Sequence, residues 1–158
     1  MDVMTWAQQL EDSALGQWMR AGWGYPFANV LHLGGLVLLL GSIGLLDLRL
    51  LGFSRRLEVE QVSRLLTPLG IVGLMVLLAT GVMLFSADAT ALLGNRMMQV
   101  KLLAIAVAVL NALAFRLRFG GRLHAWRHHP PPLGRAMAAV SLLAWPTVLV
   151  AGRMIAYT

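Results

Sequence analysis

Residues 27–46 read FANVLHLGGLVLLLGSIGLL, twenty residues with a single ionisable side chain, His32. Twenty helical residues rise about 30 Å, the thickness of a bilayer's hydrocarbon core. A run this long and this apolar predicts a membrane-crossing helix, because a helix satisfies its backbone hydrogen bonds internally where no water is available. Three further stretches, 66–85, 100–115 and 136–157, reach or approach the same length. The sequence therefore predicts an all-α protein: one membrane domain over 1–158, built as a four-helix transmembrane bundle. The third stretch is short and carries Lys101 near one end, so it spans comfortably only if the ammonium snorkels or faces protein.

Composition agrees. The chain is 58% hydrophobic and 13% charged, with a mean hydropathy of +0.72, against about 45–50% and 25% in ordinary soluble domains. Cysteine is absent, which excludes disulfides, iron–sulfur clusters and zinc–thiolate sites. The net charge of +6 does not point to nucleic acid, because the basic residues cluster in short connections between apolar spans.

Residues 1–24 read as an amphipathic helix lying in the membrane interface. Trp6, Leu10, Ala14 and Trp18 form one stripe, and tryptophan suits the headgroup region. Asp2, Glu11 and Asp12 stand where a cleavable signal would be basic. Gly22, Gly24 and Pro26 break the chain before the first span, with Trp23 and Tyr25 at the level of an aromatic belt.

The arginines predict orientation. Arg49, Arg55, Arg56 and Arg64 surround the first connection. Arg116, Arg118, Arg122, Arg127 and Arg135 surround the third. The second connection holds Arg96 and the N-terminal segment holds Arg20. This asymmetry places the first and third connections in the cytoplasm. Both termini are then outside a bacterial inner (cytoplasmic) membrane, in the periplasm of a Gram-negative host.

His32 lies about five residues inside the first span, roughly 7–8 Å below its outer end. Ionisable groups at such depth usually face protein or a water-filled cavity. One reading is a metal or haem ligand or a proton-transfer group. The other is a neutral histidine hydrogen-bonded to a neighbouring helix. Asn29 stands one turn earlier on the same face and is a candidate to orient the imidazole. Lys101, Arg153 and Tyr157 come to similar depths in the outer leaflet. Three basic groups at one level, with few outer acids, call for an anionic ligand such as haem propionates or a lipid phosphate, or for snorkelling to headgroups. On the fourth span, Pro146, Val150, Arg153 and Tyr157 form one stripe, and His32 and Arg153 are expected to share an interior cavity.

Asp47 and Arg49 read as an interfacial anchor with a local ion pair, and Asn111 as an interhelical hydrogen-bonding group. His124, His128 and His129 sit among arginines that repel a cation. Met75, Met83, Met97, Met98 and Met154 offer thioethers but also serve as ordinary filling. His32, Gly35, Leu39, Ser42 and Leu46 follow one face of the first span. Gly70, Gly73 and Gly81 punctuate the second, marking close helix approach. Pro146 is expected to kink the fourth span. No Walker loop, Ser–His–Asp arrangement, HExxH or GxGxxG is present, so hydrolytic and nucleotide-driven chemistry has no visible machinery.

Several motifs resemble a family of uncharacterised bacterial four-helix integral membrane proteins. They are Tyr25-Pro26-Phe27-Ala28-Asn29-Val30-Leu31-His32, Gly41-Ser42, Asp47-Leu48-Arg49, Trp145 and Gly152-Arg153-Met154-Ile155-Ala156-Tyr157. A fainter resemblance reaches the haem-binding membrane protoporphyrinogen oxidase and the copper-resistance membrane domain groups. The order His32, Gly41, Arg49, Lys101 is similar to that of the haem protein; the tryptophans and the final span depart from it. The resemblance implies a haem-associated protein; the outer-leaflet histidine beside uncompensated cations adds haem b as the expected cofactor, with His32 as iron ligand and Arg153 and Lys101 as groups holding propionates or a second ligand. The leading expectation is thus a haem b-binding membrane protein with a redox or electron-transfer role. The alternative is a non-enzymatic membrane subunit or homo-oligomer that binds lipid, a small solute or a partner chain. A small channel or transporter is a third.

Overall fold

A computed structural model describes residues 2–126 and 130–158. Arg127, His128 and His129, on which part of the arginine asymmetry and of the histidine reading falls, lie outside the described residues. The chain forms α1 (Val3–Glu11), α2 (Ala14–Arg20), α3 (Gly24–Leu51), α4 (Val59–Ser86), α5 (Ala89–Gly94), α6 (Arg96–Phe119) and α7 (Pro132–Met154). Short 3₁₀ turns occupy Leu123–Trp126 and Ile155–Tyr157. Four helices, α3, α4, α6 and α7 with its terminal turn, are long and apolar enough to cross a membrane. The protein is a multi-pass, all-α membrane bundle.

The helices run past the apolar stretches that announce them. The third span, read as 100–115, extends over Arg96–Phe119, about 36 Å at 1.5 Å per residue. It begins at Asn95, whose Oδ1 accepts from the backbone N–H groups of Met97 and Met98 at 2.8 and 3.1 Å, satisfying donors that a helix start leaves open. The first span ends at Gly52, whose φ of +108° is left-handed. Gly52 N–H bonds Arg49 O at 3.1 Å and Phe53 N–H bonds Leu48 O at 3.0 Å, the paired closure of a Schellman motif. Pro68 and Pro146 sit inside α4 and α7 without ending them.

Packing is arranged as two hairpins. α3 runs closely along α4, α6 runs along α7, and the hairpins meet chiefly through α3 and α7. The small residues explain the first contact. A Cβ on Gly73 would stand 2.6 Å from Leu39 N and 2.8 Å from Gly35 O, so only glycine lets these backbones approach. The stripe Gly35, Leu39, Ser42, Leu46 is buried throughout. Leu39, Ala108, Ala144, Trp145 and Val148 form a core at mid-height. A second core, with Leu46, Leu50, Val59, Phe119 and Leu123, lies toward the end that carries the 52–58 and 120–131 connections. There Trp126 stacks edge-on to Phe119, with centroids 4.9 Å apart. Outward residues such as Val37 and Leu117, 72% and 79% exposed, form the apolar surface expected to face lipid.

The N-terminal segment is two helices rather than one. The break comes at Asp12 and Ser13, where Ser13 Oγ caps α2 by accepting from Gly16 N–H at 3.3 Å. α1 lies against α5 at the end of the bundle that holds both termini. Glu11 Oε1 accepts from Thr90 N–H at 2.6 Å and from Thr90 Oγ1 at 2.7 Å. Arg20 reaches Glu11 O and Ala87 O at 2.6 and 3.3 Å. The Thr90 amide and hydroxyl, with Arg20 nearby, hold the Glu11 carboxyl below its ordinary range.

Candidate functional site

His32 is carried by the buried face of α3, about 12 Å along the axis from Gly24, and is itself half-buried. Its Nδ1 lies 2.8 Å from Thr80 Oγ1 on α4. Thr80 is 3% exposed and its hydroxyl bonds Val76 O at 2.6 Å. A carbonyl only accepts, so the single hydroxyl proton goes to Val76. The imidazole must then donate to Thr80 from Nδ1, which leaves the lone pair on Nε2. Among the described residues Nε2 makes no hydrogen bond. Gly81, the next residue of α4, lies beside the ring edge; a Cβ there would be in ordinary contact with His32 Cε1 at 3.7 Å.

Lys101 enters from α6. Its stem crosses α7 at Gly152, with Nζ 3.5 Å from where a Cβ on that glycine would be. The half-buried ammonium lies within Coulombic reach of the imidazole. Among the described residues no carboxylate pairs with either group; the ion pair present is Arg64–Glu60, at the far end. All four spans thus contribute to this region: His32 from α3, Thr80 and Gly81 from α4, Lys101 from α6 and Gly152 from α7.

The other expected residues are placed differently. Asn29 is exposed, and the imidazole is held by Thr80 instead. Arg153 is exposed, donates to Tyr157 Oη at 2.7 Å and lies 5.1 Å over that ring. The arginine and tyrosine form one exposed unit at the end of α7. Met75 and Met154 are exposed, as is His124. Among the described residues no group of three or more His, Cys, Asp or Glu stands ready to hold a metal ion.

A second polar group lies at the opposite end, around Asp47. It does not pair with Arg49, whose Nε donates to Leu57 O at 2.6 Å and whose Nη2 donates to Arg55 O at 3.4 Å. Arg49 thereby fastens the connection after α3, and the expected ion pair is absent. Asp47 faces a cavity of about 90 Å³ shared by all four spans. Sequence reasoning missed this cavity. The available signal was the coincidence in depth of Asp47, Asn111 and Ser141 with the i, i+4 pair Ser63 and Thr67.

The chain belongs to a family of unknown function (DUF6644), whose model matches residues 4–158. No curated protein and no solved structure matches it.

Proposed function

We propose that this family member is a haem b-binding membrane protein with a redox or electron-transfer role, in which His32 is an iron ligand. The observation that supports the reading is the Thr80 hydrogen bond. It fixes the Nδ1–H tautomer and leaves Nε2 as a free base, the arrangement in which ligating histidines are usually held. Lys101, an ammonium with no carboxylate beside it among the described residues, suits a propionate. Arg153, steadied by Tyr157, suits a second one near the interface. Bound haem would supply a one-electron iron couple. The residues of the chain would orient the ring nitrogen, compensate the carboxylates and exclude lipid. The membrane is proposed to be a bacterial inner membrane with both termini outside, on the arginine asymmetry. The test is the absorption spectrum of protein purified from a haem-replete host. A Soret band lost in His32→Ala is expected, and a folded bundle without one overturns the reading.

A second reading, a cofactor-free homo-oligomer that binds lipid or a partner chain between subunits, is favoured by the outer face of α3. Gly34, Gly41 and Gly44 there meet nothing within 4 Å, which leaves room for another helix to approach closely. Cross-linking in native membranes that disappears in Gly41→Leu would support it.

A further inference from the structure

Asp47 stands fifteen residues beyond His32 on α3, about 22 Å along the axis, so whatever it does is separate from the imidazole. The residue is 6% exposed, and Oδ2 has no hydrogen-bond partner among the described residues. An ionised carboxyl buried with one oxygen unsatisfied is strongly disfavoured, so such a group takes up either a proton or a cation. The cavity it faces offers oxygen donors from every span: Ser63 and Thr67 on α4, Asn111 on α6 and Ser141 on α7. The Ser63 and Thr67 hydroxyls are 3.1 Å apart, so one oxygen accepts from the other and keeps a lone pair. Asn111 Nδ2 is committed to Met137 O at 2.9 Å, which leaves Oδ1 as the group with capacity to spare. The Ser141 hydroxyl approaches the carboxyl itself.

This donor set selects its ligand. Carboxylate, hydroxyl and amide oxygens are hard donors that suit alkali and ammonium-type cations rather than soft metals. Anions are repelled by Asp47. A single carboxylate balances a single charge; a divalent ion would leave a net positive charge in the bilayer, with exposed Arg116 at the rim adding to it. The space is adequate, since a water's share of liquid volume is about 30 Å³ and the cavity measures about 90 Å³. A partly hydrated small cation fits. We propose that Asp47, with Ser141, Asn111, Ser63 and Thr67, forms a monovalent-cation site in the half of the bundle opposite the termini.

The test uses the full chain in nanodiscs at constant ionic strength, in chloride salts of sodium, potassium, methylammonium or N-methylglucamine. The unfolding midpoint is expected to rise with the concentration of at least one of the first three, as ligand linkage requires, and to stay flat in the bulky control. The three arms separate metal ions from amines. Asp47→Asn is expected to abolish the response. Ser141→Ala, a milder change, should raise the half-effective concentration about tenfold, the size expected for one lost hydrogen bond to a charged group. On the unaltered chain, a hydrophobic carbodiimide should label Asp47, and the effective cation should protect it. Identical midpoints in all four salts, a response that survives in Asp47→Asn, or labelling indifferent to every cation overturns the site. Neither readout depends on haem.

Discussion

His32 Nδ1 and Thr80 Oγ1 are 2.8 Å apart, and the hydroxyl's only proton belongs to Val76 O. One threonine on α4 therefore decides which nitrogen of a histidine on α3 can bind anything. That bond is the one expected of a histidine that satisfies a neighbouring helix, and it leaves Nε2 of the half-buried ring as the nitrogen open to a ligand or to water.

Thr80→Val keeps the shape of the side chain and removes the acceptor. The tautomer is no longer fixed, and Nδ1–H is left unsatisfied beside buried α4. Haem retained through purification should fall about 10- to 100-fold, the range for loss of a ligand's hydrogen-bonding support, while helicity is unchanged. Thr80→Ser, which keeps the hydroxyl, should retain most of it. Pyridine haemochrome assay of the two variants decides; equal loss in both would assign Thr80 to packing alone.

At Gly73 the closeness of α3 and α4 becomes measurable. An added methyl would meet Leu39 N at 2.6 Å, a backbone atom that cannot rotate away. Gly73→Ala should destabilise the bundle by about 1–3 kcal/mol, the usual range for overpacking. Gly34→Ala, where a Cβ meets nothing within 4 Å, should be close to neutral in the monomer. Denaturant titration in mixed micelles makes the comparison.

The Glu11–Thr90 clamp ties α1 to α5, and its pH dependence has a definite sign. The Thr90 N–H, then its hydroxyl, then Arg20, hold the carboxyl below its ordinary value of 4.5. A depressed carboxylate stabilises the folded segment fully above the unfolded value, and the stabilisation is lost as pH falls through the folded one. The protection factors of the amides over Val3–Glu11, which remove the intrinsic pH dependence of exchange, should therefore be high at neutral pH and fall as pH drops below the ordinary carboxyl value of 4.5. In Glu11→Gln the clamp is weak at all pH values and this transition should vanish. A transition of the same size in Glu11→Gln would place its origin elsewhere.

The spans were legible because continuous apolar sequence in lipid leaves the backbone little choice but helix. Their ends were not: Arg96, Arg116 and Arg118 are helical despite their charge, because long basic side chains reach the interface while their backbone stays hydrogen-bonded. His32 stood out as an ionisable group among leucines. Thr80 did not, since a hydroxyl in a span usually bonds its own helix, and its contact with His32 depends on how α3 and α4 are rotated. The spacing of Asp47 and Arg49 suggests a local ion pair, but the turn at Gly52 brings the Leu57 and Arg55 carbonyls to the guanidinium instead.

Lys101 offers the sharpest test of charge at the His32 end. Its stem lies over Gly152, and among the described residues it has no carboxylate partner. Lys101→Met preserves the stem and deletes the charge. Without ligand, the variant should unfold at a higher temperature than the native chain, because an uncompensated ammonium in the bundle is costly. With ligand, the order should reverse for an anion. Haem affinity should drop about tenfold, as for one lost charge-assisted contact, whereas the dimethyl ester of haem, which has no propionate charge, should bind both proteins alike. Arg153→Met should have the smaller effect, because that guanidinium is exposed and already engaged by Tyr157, and exposed charges are screened. Equal losses for haem and its ester in Lys101→Met would show that the lysine shapes the site without compensating an anion.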